Sequence, residues 1–175
     1  YCWEQIDNQI GRVPPTENDK IGTLYRSYPP TQSSTRYLPA LKELRNGALS
    51  TKWEVTPAVA RDLNFSLTVR DNNPEAGQVA IDELKVSVTD AAGPFVVTSQ
   101  NTSGLIGEQN SDQVVEWDVA GTDANGVDVS KVNILLSTDG GLTFSTTLVA
   151  ETDNDGMESI KVPFFTAGSC YIMIE

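Results

Sequence analysis

Leu63-Asn-Phe-Ser-Leu-Thr-Val-Arg70 decides how this chain is read. Leu63, Phe65, Leu67 and Val69 alternate with Asn64, Ser66, Thr68 and Arg70. Successive side chains of an extended backbone point to opposite faces, so the apolar set shares one face of a β-strand. A second run, from Gly77 to Val88, repeats the pattern, with Leu84, Val86 and Val88 against Lys85, Ser87 and the following Thr89. Between them Asp71-Asn-Asn-Pro-Glu-Ala-Gly77 gathers turn formers. The two runs predict a hairpin of half-buried strands at the edge of a β-sandwich.

Working back from the hairpin, Tyr1-Cys-Trp-Glu-Gln-Ile6 reads as a strand with Tyr1 and Trp3 as core anchors. Asp7 to Ser50 has little strand character and holds Pro14-Pro15 and Pro29-Pro30, which favour extended, polyproline-like backbone. Within it Leu38, Leu41 and Leu44 follow helical spacing, and Asn46-Gly47 is a helix stop. So long a loop in a compact domain is unusual and often functional. Lys52-Trp-Glu-Val55 returns to a strand pattern.

Working forward, Thr89-Asp-Ala-Ala-Gly-Pro94 marks a boundary and predicts domains at residues 1–91 and 92–175. The second domain reads as six short strands at roughly ten-residue spacing: Phe95 to Ser99, Gln113 to Val119, Lys131 to Ser137, Thr143 to Val149, Glu158 to Val162 and Ser169 to Glu175. Val115, Trp117 and Val119 are inward, Glu116 and Asp118 outward, and Thr138-Asp-Gly-Gly141 is a turn. The fold class is all-β: two tandem immunoglobulin-like or fibronectin-like β-sandwiches, the first with a long Pro-rich insertion containing a short helix. The first is expected to lack an N-terminal strand and the second a C-terminal one, as in a piece of a longer, mature protein.

Composition narrows the chemistry. The chain has 175 residues, 39% of them hydrophobic, and no histidine. Without histidine the commonest general base, the commonest zinc ligand and every Ser-His or Cys-His pair are excluded. Catalysis by carboxylates or a Ser-Lys pair stays open, though no spacing argues for either. Residues 1–90 carry ten Lys/Arg against twelve Asp/Glu, and residues 91–175 carry two against twelve. The acidic second half repels nucleic acid and anionic lipid. No apolar stretch is long enough for a membrane span. Two cysteines are too few for a disulfide scaffold; Cys170 shares parity with Ile172 and Ile174 and is expected in a core, and a bridge to Cys2 would have to join the two halves.

Several segments resemble, in this order, the region that follows the catalytic domain in secreted reprolysin-like zinc metallopeptidases of Bacteroidetes-type bacteria. They are Tyr-Cys-Trp-Glu-Gln at 1–5, Leu-Tyr-Arg-Ser-Tyr-Pro-Pro at 24–30, Arg-Tyr-Leu-Pro at 36–39 and Leu-Asn-Phe-Ser-Leu-Thr-Val-Arg-Asp-Asn-Asn at 63–73. Ala-Gly-Pro-Phe-Val-Val-Thr-Ser at 92–99, Glu-Trp-Asp-Val-Ala-Gly-Thr at 116–122 and Asn-Ile-Leu-Leu-Ser-Thr-Asp-Gly-Gly-Leu-Thr-Phe at 133–144 complete the set. The resemblance implies a polycystic-kidney-disease-like domain followed by a fibronectin-like domain, secreted or at the cell surface. The family's zinc site is a His-Glu-x-x-His helix with a third histidine, so no zinc ligand or catalytic glutamate carries over to any position here. It implies a non-catalytic accessory module that positions the catalytic domain of the same parent chain or binds protein or polysaccharide. A surface adhesin without a protease, and a carboxylate-dependent hydrolase, are the rivals.

Two candidate sites remain. Asp71, Asn73, Glu75 and Asp82, with Asn72 and Glu83 beside them, offer clustered oxygens to Ca²⁺, which takes six to eight. The alternative is a turn whose Asx side chains bond its own backbone. Asp123-Ala-Asn-Gly-Val-Asp128 and Asp153-Asn-Asp-Gly156 are weaker versions of the same pattern. Tyr25, Tyr28, Tyr37 and Trp53 are a candidate binding surface for protein or polysaccharide, since exposed aromatics dominate recognition. The alternative is that these rings and Leu38, Leu41 and Leu44 fold back over one sheet. Trp3 and Trp117 have core parity.

Overall fold

The computed structural model describes residues 1–164 and 167–175. The chain is mostly β, with three three-stranded antiparallel sheets and one short helix among the described residues. It divides into two units, Tyr1–Asp90 and Ala91–Glu175.

The first unit holds β1 (Cys2–Gln5), α1 (Leu41–Arg45), β2 (Arg61–Arg70) and β3 (Val79–Val88), with sheet order β1-β2-β3. The register sets Phe65 opposite Leu84 and Leu63 opposite Val86. Leu63 and Phe65 are buried against Leu24, Tyr25 and Val55, with Trp3, Leu38 and Val88 packed around them. Segments of the Asp7–Ser50 stretch therefore cover one face of the single sheet. They do so with almost no regular structure, beyond bridges that pair Tyr25 with Glu54 and Ser50 with Val55.

Irregular backbone brought against a core must find partners for its amides and carbonyls. Here buried polar side chains supply them. The Gln5 Oε1 accepts the N–H groups of Leu24 (2.7 Å) and Tyr25 (2.9 Å). The Arg61 guanidinium donates to the carbonyls of Asp19 and Gly22, each at 2.7 Å. At that point the chain crosses itself closely: Gly22 has φ +79°, and a Cβ there would sit 2.7 Å from the Gly11 Cα. Only glycine serves at such a position.

Three expectations need correction in this unit. β3 is exposed along nearly its whole length, not half-buried, because the covering segments stop at β2. Tyr1 is 40% exposed and outside the core. Leu38 lies outside the helix and packs on the core, while α1 spans five residues and buries none of them fully. The cause is Pro39, which disfavours helical backbone at the residue before it.

The second unit holds β4 (Val96–Val97), β5 (Asp112–Asp118), β6 (Lys131–Ser137), β7 (Thr146–Asp153), β8 (Met157–Lys161) and β9 (Tyr171–Ile174). Its sheets run β4-β5-β8 and β7-β6-β9. Val115, Trp117 and Ile160 from one sheet meet Val132 and Ile134 from the other, ringed by Phe95, Val119, Leu148, Val149, Ile172 and Ile174. The β5 alternation places Glu116 and Asp118 in solvent. β6, the central strand of its sheet, is buried on both faces from Ile134 to Ser137. Inside this core Asn154 takes the Trp117 indole N–H on its Oδ1 (2.9 Å) and donates to Thr122 Oγ1 and the Val129 carbonyl. Cys170 is exposed rather than buried, because it precedes β9 and strand parity does not extend to it; it and Cys2 are free thiols. No helix among the described residues is long and apolar enough to cross a membrane.

Candidate binding surface

The covering segments of the first unit carry a buried ion pair at their centre. The Arg36 guanidinium donates to the Trp3 carbonyl (2.6 Å), the Arg26 carbonyl (2.6 Å) and Glu54 Oε1 (3.1 Å). Glu54 Oε2 accepts the Ala40 N–H at 3.2 Å. The Glu54 side chain is 1% exposed and that of Arg36 13%. One pair thus ties β1 to the stretches around Arg26, Arg36–Ala40 and Glu54.

Two exposed rings belong to the stretches that this pair joins. The Tyr28 ring centroid is 5.1 Å from the Arg36 guanidinium carbon and 5.4 Å from that of Arg26. Partial burial first, then the negative charge of Glu54, push the Tyr28 phenol above its ordinary range. The Arg26 N–H donates to the Trp53 carbonyl at 3.0 Å, which brings the two stretches side by side. Lys52 Nζ sits 5.1 Å from the Trp53 ring centroid. Tyr28 and Trp53 are each 40% exposed. Among the described residues neither Arg26 nor Lys52 has a carboxylate within ion-pair distance. Each exposed ring therefore carries a cation free to meet an anion, an arrangement in which the ring's quadrupole also holds the cation in place.

Of the four aromatic residues singled out from sequence, Tyr28 and Trp53 lie on this surface. Tyr37 is half-buried. Tyr25 belongs to the core, 6% exposed and 6.3 Å from the Phe65 ring, and burial raises its phenol pKa. It is removed from the expected surface because its bridge to Glu54 turns the ring onto the sheet.

The acidic loop is organised around its own backbone. Asp71 Oδ1 accepts the N–H groups of Asn73 (3.1 Å) and Gln78 (2.9 Å), and Asn73 Oδ1 accepts that of Glu75 (3.0 Å). These amides hold the Asp71 carboxyl below the usual carboxylate range. Asp82 lies on β3 opposite Leu67, with its Oδ1 on the Glu83 N–H. Among the described residues no three His, Cys, Asp or Glu side chains gather where a metal ion could be held. Asp71, Glu75 and Asp82 form no such group, and Asn73 turns its Oδ1 to the Glu75 N–H.

The turn at Ser137 to Thr143 is likewise self-contained. Asp139 accepts from the Ser137 and Thr143 hydroxyls and from the N–H groups of Leu142 and Thr143. The Ser137 hydroxyl leads these bonds in holding the Asp139 carboxyl far below its ordinary value. Gln5, Arg36, Glu54 and Arg61, which hold the surface, were not legible as a group. Each is a single polar residue in an apolar or irregular context, and only the tertiary fold brings them together. No family model matches this chain, and neither a curated protein nor a solved structure matches it.

Proposed function

We propose that this chain is a non-catalytic binding and positioning module of a secreted, multi-domain metallopeptidase, with an immunoglobulin-like or fibronectin-like β-sandwich as its second unit. In the second unit two sheets share one core; in the first the insertion takes the place of a second sheet. The ligand is a polysaccharide bearing carboxylates. The observation that carries this is the pair of exposed ring–cation contacts, Tyr28 with Arg26 and Trp53 with Lys52, on a segment fixed by the buried Arg36–Glu54 pair. Aromatic rings present apolar faces to sugar C–H groups, and the cations meet the carboxylates. The surface belongs to the unit of lower net charge, where an anionic ligand meets less repulsion than on residues 91–175.

Calorimetry of the whole chain with polygalacturonate, against its neutral methyl ester, tests the reading. Binding to the acid, weakened at least ~10-fold by Trp53→Ala or Arg26→Ala, is the expected result. Equal binding to both polymers, or variants that bind like the parent, overturns it. The parent open reading frame is expected to encode a His-Glu-x-x-His helix; a frame without one replaces the protease assignment with that of an adhesin.

A further inference from the structure

The open edge of β3 is the longest open strand edge in the first unit, and its charges are arranged to match themselves. β3 pairs only with β2, on one side. Which of its groups face outward follows from the ladder. The Ile6 N–H donates to the Asn64 carbonyl, so Asn64 turns its backbone groups toward β1. Direction alternates along a strand, so Leu63, Phe65 and Leu67 turn theirs toward β3. Their opposite residues Val86, Leu84 and Asp82 point back at β2. Ile81, Glu83, Lys85 and Ser87 are left with N–H and C=O groups on the open edge. Among their side chains and neighbours, Ile81 is 66% exposed, Leu84 49% and Val86 38%.

We infer that this edge pairs antiparallel with β3 of a second copy, about a two-fold axis at Leu84. In that register Leu84 faces Leu84 of the second copy as a non-hydrogen-bonded pair. Glu83 faces Lys85 of the second copy, and Lys85 faces its Glu83. Ile81 faces Ser87. All four outward-facing residues then exchange backbone bonds, and the two three-stranded sheets become one of six. Moving the axis by one residue, to Glu83 or to Lys85, sets like charges directly opposite each other, which is unfavourable. The axis at Leu84 is the one that sets Glu83 against Lys85 twice, so the sequence is complementary to a second copy of itself, as a closed two-fold contact requires. The lower charge of this unit permits the contact, with ten Lys/Arg against twelve Asp/Glu in residues 1–90. Two local bonds exchange for the new ones: Glu83 N–H to Asp82 Oδ1, and Lys85 Nζ to Asp62 Oδ2. Both are exposed.

The test is a charge swap on the full chain, read by sedimentation up to about millimolar protein, since a single strand pair gives a weak dimer. The parent is expected to dimerise with rising concentration. Glu83→Lys and Lys85→Glu each place two like pairs across the axis and are expected to weaken the dimer at least ~10-fold. An equimolar mixture of the two variants restores both opposite pairs and is expected to regain dimer as a heterodimer, as is the double variant with itself. A parent that stays monomeric overturns the inference. So do single variants that associate like the parent, and a mixture that fails to recover. Recovery in the mixture also excludes misfolding of either variant as the cause of the loss.

Discussion

Replacing Glu54 by Ala tests how the first unit is held. The change removes the carboxylate from a guanidinium that is 13% exposed and leaves the Ala40 N–H without its acceptor. Breaking one side of a buried ion pair costs about 3–5 kcal/mol. Arg36 keeps the Trp3 and Arg26 carbonyls, which places the charge term at the low end, about 3 kcal/mol. The orphaned Ala40 amide adds about 1 kcal/mol. A total of about 4 kcal/mol is a factor of roughly a thousand in the opening equilibrium. Native-state hydrogen exchange reads it directly at the amides of Leu63 and Phe65 on β2. Those amides are expected to exchange roughly a thousandfold faster, or to lose protection altogether, while Ile134 and Leu135 on β6 keep their parent rates. Glu54→Gln keeps one acceptor and is expected to cost about 2 kcal/mol. In that variant the Tyr28 phenol also titrates lower, because the charge that helped raise it is gone. Exchange at Leu63 and Phe65 within about threefold of the parent in Glu54→Ala would refute the claim that this pair fixes the insertion.

Three further outcomes are expected. Asn154→Leu leaves the Trp117 indole N–H and the Val129 carbonyl without their partner, so the second unit loses about 1–3 kcal/mol, seen as a lower melting temperature; an unchanged melt contradicts the assigned bonds. Asp139 titrates below its ordinary value of 3.8, so its contribution is complete above that pH and is lost as pH falls further. Asp139→Asn should therefore melt below the parent at neutral pH and converge on it in acid; parallel curves across that range are the opposing result. Calcium and chelator are expected to give the same melting temperature and calorimetry no heat, because Asp71 and Asn73 already spend oxygens on the loop's amides; a clear upward shift in calcium would contradict this geometry.

What could be read from the residues was whatever strand periodicity governs. Leu63, Phe65, Val115 and Trp117 are buried where alternation puts them, and Lys131–Ser137 is a strand over the span read from sequence. Periodicity gives parity but not coverage, so it assigned β3 the same burial as β2, although of the outer strand only Val88 is packed against the core. Parity also fails outside strands, as at Cys170 and Tyr1. The candidate surface was half legible. Aromatic content pointed to Tyr28 and Trp53, but the fold-back that buries Tyr25 depends on Gln5, Arg36, Glu54 and Arg61, residues far apart in the chain. The acidic loop drew attention through composition; composition does not say whether oxygens converge on a point or turn to neighbouring amides.

The proposed function treats Tyr28 and Arg26 of the insertion, with Trp53 and Lys52 just after it, as one anion-reading face. Titrating isotopically labelled full chain with oligogalacturonate, and following backbone and indole resonances, addresses it most directly. Shifts are expected at the Trp53 indole N–H and the backbones of Arg26, Tyr28 and Lys52, with β5 and β6 unmoved. Shifts confined to residues 91–175, or no change at Trp53 when ligand is saturating, would contradict it.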